Sequence, residues 1–268
     1  MTMLAKRNSP TVWVRKNISE FRSYQKTGYY EQRMFFDTDM IERVRVDAMS
    51  MRDDFNGDGI IYENDEKTVR SLFGAHEISS VINELITEEL IELAMSILGS
   101  DVYVHQFHIN YKQAFVGGGY FWHSDYTYWH WEDGMPHPRC VTMVIPLDYM
   151  THNPLYVHGE SHMHYGHNEF YREQHVHPDD EVKHDEYDTG GATEEQLGRL
   201  TNGRLDTFVG NPGDLFMMDA NLLHMSSPNW SPYDRACAFV CLNSVDNQLG
   251  APRSGRLPRP QYITNRKG

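Results

Sequence analysis

The chain has 268 residues, the size of one large domain or two small ones. Its 24 basic and 38 acidic side chains leave a net charge of −14, which argues against nucleic acid or an anionic membrane as a main partner. A 40% hydrophobic share with 12% aromatics suffices for a sizeable core, and no apolar run approaches the ~20 residues of a membrane span.

The first hundred residues read as mostly helical. Asn17 to Gln25 has spaced apolar positions with Ser19 as a candidate cap, and Thr38 to Met51 carries Met40, Ile41, Val44, Val46 and Met49 near helical spacing. Glu84 to Leu98 is rich in helix formers and is stopped by Gly99. Beyond Gly99 the texture changes. Asp101 to Tyr111 alternates and is rich in β-branched and aromatic residues, the mark of a strand. Val141–Leu147, Leu155–His158, Leu205–Val209, Asp214–Met218 and Ala236–Leu242 are further strand-like runs, punctuated by Gly and Pro at 117–119, 136, 138, 211–213 and 228. Helices followed by many short strands predict a mainly β architecture with flanking helices. The expected organisation is a single domain over residues 1–268, with a helical layer over 1–100 and a closed sandwich or barrel over 101–268. The polar stretch of about 164–200 reads as a lid-like excursion.

Fifteen histidines, bunched between His105 and His184, put metal chemistry forward. Phe121-Trp122-His123-Ser124-Asp125 is the strongest local signal. If that segment is a strand, His123 and Asp125 project from one face toward one ion. A second histidine would complete a two-His, one-carboxylate triad, which leaves coordination positions open. His224 lies beyond a strand-like run, with Ser226 two residues on and Arg235 at the start of the next run. A hairpin through Pro228–Pro232 would bring Arg235 near the metal, where its planar fork can grip a carboxylate. Gln106, His108 and Asn110 share one strand face by the period of two, which suits a pocket wall.

Residues 102–112 (VYVHQFHINYK) and 121–136 (FWHSDYTYWHWEDGMP) closely resemble the ectoine hydroxylases of the phytanoyl-CoA dioxygenase superfamily, which are Fe(II)/2-oxoglutarate oxygenases. The likeness is nearly full length, taking in Arg70–His76, Cys241–Leu249 and Pro258–Tyr262. Bacterial proline hydroxylases share the Tyr-Val-His-Gln strand and the Glu-Asp-Gly-Met block. The resemblance implies a double-stranded β-helix (jelly-roll, cupin-like) core. It implies His123, Asp125 and His224 as iron ligands, Arg235 and Ser226 as holders of the distal carboxylate of 2-oxoglutarate with help from Asn110, and Tyr120 beside the co-substrate. Gln106, Trp129 and Phe239 match residues that contact ectoine. Three places depart from the pattern: His108 stands for an arginine, Met218 for an aromatic, and Gly159–His162 for Pro-Gly-Ser-His. The chemistry expected is hydroxylation with Fe(II), 2-oxoglutarate and O2, and the presence of Asp125 favours it over halogenation. The expected substrate is a small zwitterion, ectoine first and free L-proline, L-pipecolate or another free amino acid as alternatives. A non-catalytic barrel binding a small ligand or metal is the reading from another class. Weak homodimerisation is a family expectation.

Other signals compete. Asp54–Asp65 nearly spells a calcium-binding EF-hand loop but ends in aspartate where the bidentate glutamate belongs, so a tight polar turn is the plainer reading. His158, His162, His164 and His167 form a second cluster, suited to a metal or to a channel rim. Cys140, Cys237 and Cys241 form no Cys-x-x-Cys pair, and Met1–Arg7 opens no apolar run of the secretory kind. A reduced, cytoplasmic protein is expected.

Overall fold

The structure is a computed structural model and describes residues 18–163 and 205–266, together with Ala192, Glu195, Leu197 and Gly198. The predicted excursion of 164–200 lies almost wholly outside the described residues.

Helix α1 (Ile18–Thr27) leads into strand β1 (Tyr29–Gln32). Ser19 sits inside the helix, its hydroxyl donating to Glu20 at 2.6 Å, and does not cap it. Helix α2 (Thr38–Asp54) starts where the Asp37 carboxylate accepts from the N–H groups of Asp39 and Met40, both at 3.0 Å. Its buried stripe is Ile41, Val44 and Ala48. The predicted Glu84–Leu98 helix is shorter than expected. Helix α3 (Ala75–Ile78) and helix α4 (Ser80–Asn83) are single turns, and helix α5 (Glu88–Leu98) begins only at a Thr87 cap. Gly99 ends α5 at φ 68°, a left-handed conformation that glycine adopts without a Cβ penalty.

Three strands also lie in the region read as mostly helical: β1, β2 (Ile60–Tyr62) and β3 (Val69–Phe73). They extend the larger sheet at its edges, where packing on neighbours outweighs weak local propensity. The remaining elements are β4 (Val102–Lys112), β5 (Tyr120–His123), α6 (Asp125–Glu132), β6 (Cys140–Pro146), β7 (Leu155–Val157), β8 (Asp206–Phe208), β9 (Leu215–Asp219), β10 (His224–Ser226) and β11 (Arg235–Ser244). One sheet has the order β1-β9-β6-β11-β4-β3-β2 and the other β5-β10-β7-β8, with every pairing antiparallel. This is the expected mainly β, two-sheet jelly roll with helices on one outer face.

Alternation along the strands creates two cores. Val104, Phe107, Ile109 and Tyr111 of β4, with Ala238 and Val240 of β11, pack outward under the stripes of α2 and α5. Cys237, Val144, Phe216 and Met218 face inward and meet Leu155, Val157 and Phe208 of the smaller sheet. Strand β6 is buried along its whole length, which explains an apolar run interrupted only at Thr142. Ile109 is fully buried at the centre of the outer core. Ile109→Ala should cost about 2–5 kcal/mol of unfolding free energy. Denaturant titration checks this, and a loss under about 1 kcal/mol would contradict so central a role for β4.

Candidate active site

Three side chains converge between the sheets. Strand β5 pairs with β10 so that His123 stands opposite His224. Asp125 lies not in a strand, as expected, but at the first position of α6, because Ser124 caps that helix by accepting from Thr127 N–H at 3.2 Å. The strand-to-helix turn, rather than the strand period, swings the carboxylate toward both rings. Asp125 Oδ1 is 3.7 Å from Nε2 of His123 and 3.7 Å from Nε2 of His224. One donor atom from each of the three lies within 4.8 Å of the others, and among the described residues no other His, Cys, Asp or Glu group does so.

The outer contacts of these three residues prepare them for a metal. His123 Nδ1 donates to Phe121 O at 2.6 Å and His224 Nδ1 to Leu222 O at 3.0 Å. A carbonyl only accepts, so each Nδ1 carries a proton and each Nε2 is the ring atom turned toward the carboxylate. Burial, and then the neighbouring His224, push His123 down to about 4, which keeps it neutral. Thr142 Oγ1 donates to Asp125 Oδ2 at 2.9 Å and leaves Oδ1 to the centre. Two imidazole Nε2 atoms and one carboxylate fit a first-row divalent ion with open positions, the donor set of non-haem Fe(II) oxygenases.

A pocket for an anion adjoins this centre. The register that pairs His123 with His224 also pairs Tyr120 with Ser226, two strand residues or roughly 7 Å along. Ser226 Oγ accepts from Lys112 Nζ at 2.9 Å, which leaves its own O–H to donate elsewhere. Arg235 is buried nearby, donating from Nη1 to Asn110 Oδ1 at 3.1 Å and from Nε to Asn153 O at 3.3 Å. Asn110 Nδ2 in turn donates to the Tyr120 hydroxyl at 3.1 Å. Arg70, which lies over the Tyr120 ring at 4.0 Å, is neutralised by Glu63 at 2.8 Å. Lys112 and Arg235 have no carboxylate within ion-pair distance among the described residues. The hairpin expected at 228–232 does not form: β10 and β11 belong to different sheets, and Arg235 reaches the pocket because the chain crosses between them.

The predicted substrate row is also inward-facing. His108 lies between Phe73 and Phe239, with ring centroids 4.9 and 4.8 Å away, and Gln106 is beside it. Met218 is buried in the inner core. Trp129 is buried against Cys140 and Cys241, its ring edge-on to His105 at 4.9 Å.

The family model for phytanoyl-CoA dioxygenase (PhyH) matches residues 24–237. The chain belongs to the phytanoyl-CoA dioxygenase family. An ectoine dioxygenase of Nocardia farcinica is 31% identical to it over 269 residues, covering 97% of this chain and 89% of the relative. The crystal structure of EctD from S. alaskensis with 2-oxoglutarate and 5-hydroxyectoine aligns at a TM-score of 0.79 and 28% identity, covering 98% of this chain and 86% of that one. The crystal structure of the same EctD with bound Fe aligns at 0.77 and 27% identity, with 98% and 86% covered.

Other expectations for this family member sort as follows. His158 is buried and His162 touches Gln25 O at 3.1 Å, while His164 and His167 lie outside the described residues. The Asp54–Asp65 loop forms no metal-binding group among the described residues; Asp65 instead accepts from Lys67 N, Thr68 N and Thr68 Oγ1 to close a turn. The cysteines are buried and free, and burial pushes Cys237 up to about 12, so they are inert thiols. Sequence reasoning missed Lys112, although the same period of two that links Gln106, His108 and Asn110 reaches it in one more step. It also missed Thr142 and Arg70, for which no local motif exists.

Burial, then the cations Arg235 and Arg70, push Lys112 down to about 5. The unfolded chain holds that proton up to about 10.4. Folding therefore releases a proton between those values, and stability from this group rises with pH across the window. Lys112→Met should flatten the rise in Tm between about pH 6 and 9. Calorimetry of the ligand-free protein checks it; parallel Tm curves for the two proteins would contradict the assignment.

Proposed function

We propose that this chain is an Fe(II)- and 2-oxoglutarate-dependent hydroxylase of ectoine or a closely similar zwitterion, consuming O2 and releasing succinate and CO2. One observation carries the reading: two buried basic side chains, Arg235 and Lys112, lie beside the His123–Asp125–His224 group with no carboxylate within ion-pair distance among the described residues. Leaving the buried Arg235 guanidinium unmatched is costly, and the distal carboxylate of a 2-oxo diacid bound at the centre would match it.

In this reading His123, Asp125 and His224 hold the iron through the two Nε2 atoms and a carboxylate oxygen. Arg235 grips the distal carboxylate of 2-oxoglutarate, Ser226 donates to it, Asn110 orients the guanidinium, and Lys112 holds Ser226 by donating to its Oγ. Tyr120, fixed by Asn110 and Arg70, walls the co-substrate. Iron with 2-oxoglutarate bound supplies the oxidising power of O2 for one substrate C–H bond. The chain supplies orientation: Gln106, His108, Phe239, Met218 and Trp129 shape the wall on which the substrate lies, and the surrounding apolar residues exclude water. The relatives named ectoine dioxygenases support ectoine as the substrate.

Purified protein supplied with Fe(II), 2-oxoglutarate and ectoine should release succinate and yield a product heavier by one oxygen atom. L-proline and L-pipecolate serve as comparison substrates. Succinate release stimulated only by one of those would move the substrate assignment, and none with any of them would sink the hydroxylase reading. His123→Ala and Asp125→Ala should abolish turnover. Arg235→Ala should raise the KM for 2-oxoglutarate by roughly 10–100-fold, the worth of a charge-assisted contact. A larger effect on the KM for ectoine would contradict its role.

A further inference from the structure

Residues 259–266 fold back along the start of β4. Asn265 N–H donates to His105 O at 2.8 Å and Asn265 Nδ2 to Val104 O at 3.0 Å. Asp133, fully buried just after α6, pins this segment by accepting from Arg259 Nε at 2.9 Å, from Arg259 Nη2 and from Thr264 Oγ1 at 3.1 Å. The guanidinium also lies over the Tyr128 ring at 4.9 Å.

One more contact leaves this latch. Arg259 Nη2 donates to Gln106 Oε1 at 3.1 Å. A guanidinium has donors only, so the Gln106 amide must turn its oxygen toward Arg259 and its nitrogen away. That nitrogen lies 3.4 Å from His108 Nδ1. An amide NH2 group also only donates, so His108 Nδ1 must accept, and the ring proton must sit on Nε2. The ring is clamped nearly parallel to Phe239, 4° between planes, with Phe73 on its other side. Burial pushes His108 down to about 4, so it is neutral. Its Nε2–H has no hydrogen-bond partner among the described residues.

We propose that Arg259 is a positioning residue: acting through Gln106, it fixes His108 as the Nε2–H tautomer, so that the pocket wall offers its ligand a neutral donor held between two aromatic rings. Such a donor selects a ligand with an acceptor at that place, such as one oxygen of a zwitterion's carboxylate, and rejects one with a cation or N–H there. For the identity of the ligand the inference rests on the hydroxylase reading; the tautomer does not.

The first test is therefore 15N NMR of the histidine rings in the full chain, without added iron so that the spectrum stays diamagnetic. His108 should show a protonated Nε2 and a bare Nδ1. Arg259→Lys, which keeps a cation against Asp133, and Gln106→Met, which leaves the Asp133 latch whole, should each let the tautomers mix. An unchanged tautomer in Gln106→Met, which does not disturb the tail, overturns the relay even if Arg259→Lys fails to fold. In turnover, each variant should raise the KM for ectoine on the order of tenfold, the scale of one hydrogen bond, with the KM for 2-oxoglutarate within about twofold. Arg259→Lys should add nothing further in the Gln106→Met background, whereas additive effects, or both KM values rising together, would mean a merely structural role. If the wild type does not turn over ectoine, the hydroxylase reading fails on that count while the tautomer measurement still decides this inference.

Discussion

Strand β4 serves two cores at once because successive side chains leave a strand on opposite sides. Phe107, Ile109 and Tyr111 bind it to the helical layer, while Gln106, His108, Asn110 and Lys112 face the interior. Its partners β11 and β3 fix that arrangement by register: Asn110 lies opposite Cys237 on one side and Ser71 on the other, and His108 opposite Phe239 and Phe73. A slip of one residue would exchange the two sets, bringing four polar side chains under the helices and apolar ones into the pocket. The cost of burying those polar groups against apolar helices is what keeps the inward row in place.

Charge is distributed inside the barrel with the same economy. Arg70 is closed off by Glu63, and Arg259 by Asp133, so both act as fixed struts. Lys112 and Arg235 are left open toward the centre formed by His123, Asp125 and His224. Closed pairs thus brace the walls, while these two basic groups keep their donors for the pocket. Burial serves the same division at His123, which it keeps uncharged beside the carboxylate of Asp125.

The parts of this design legible in the sequence are those carried by short-range pattern. Asp101–Tyr111 is visible as a strand because it alternates, and its inward row because the period is strict. His123, Asp125 and His224 are legible as donors by type and by resemblance, yet their route to one point is not. The Ser124 cap that turns a strand into a helix, and the crossing between sheets that delivers Arg235, both depend on tertiary pairing. Strands β2 and β3 were hidden by weak propensity, since the β4 edge stabilises them. Thr142 belongs to no motif and Arg259 only to the short resemblance over Pro258–Tyr262; only the folded chain sets one against Asp125 and the other against Gln106.

The strand pairing also has a consequence in time. Strand β4 finds its principal partner in β11, more than a hundred residues downstream, and β1 waits as long for β9. Contacts so distant in sequence close slowly, because a long loop must be ordered before they form. On the ribosome, neither core can be completed until almost the whole polypeptide has emerged. The helices of the first hundred residues must keep their apolar stripes shielded for that interval, which makes nascent chains of this protein natural clients for chaperones.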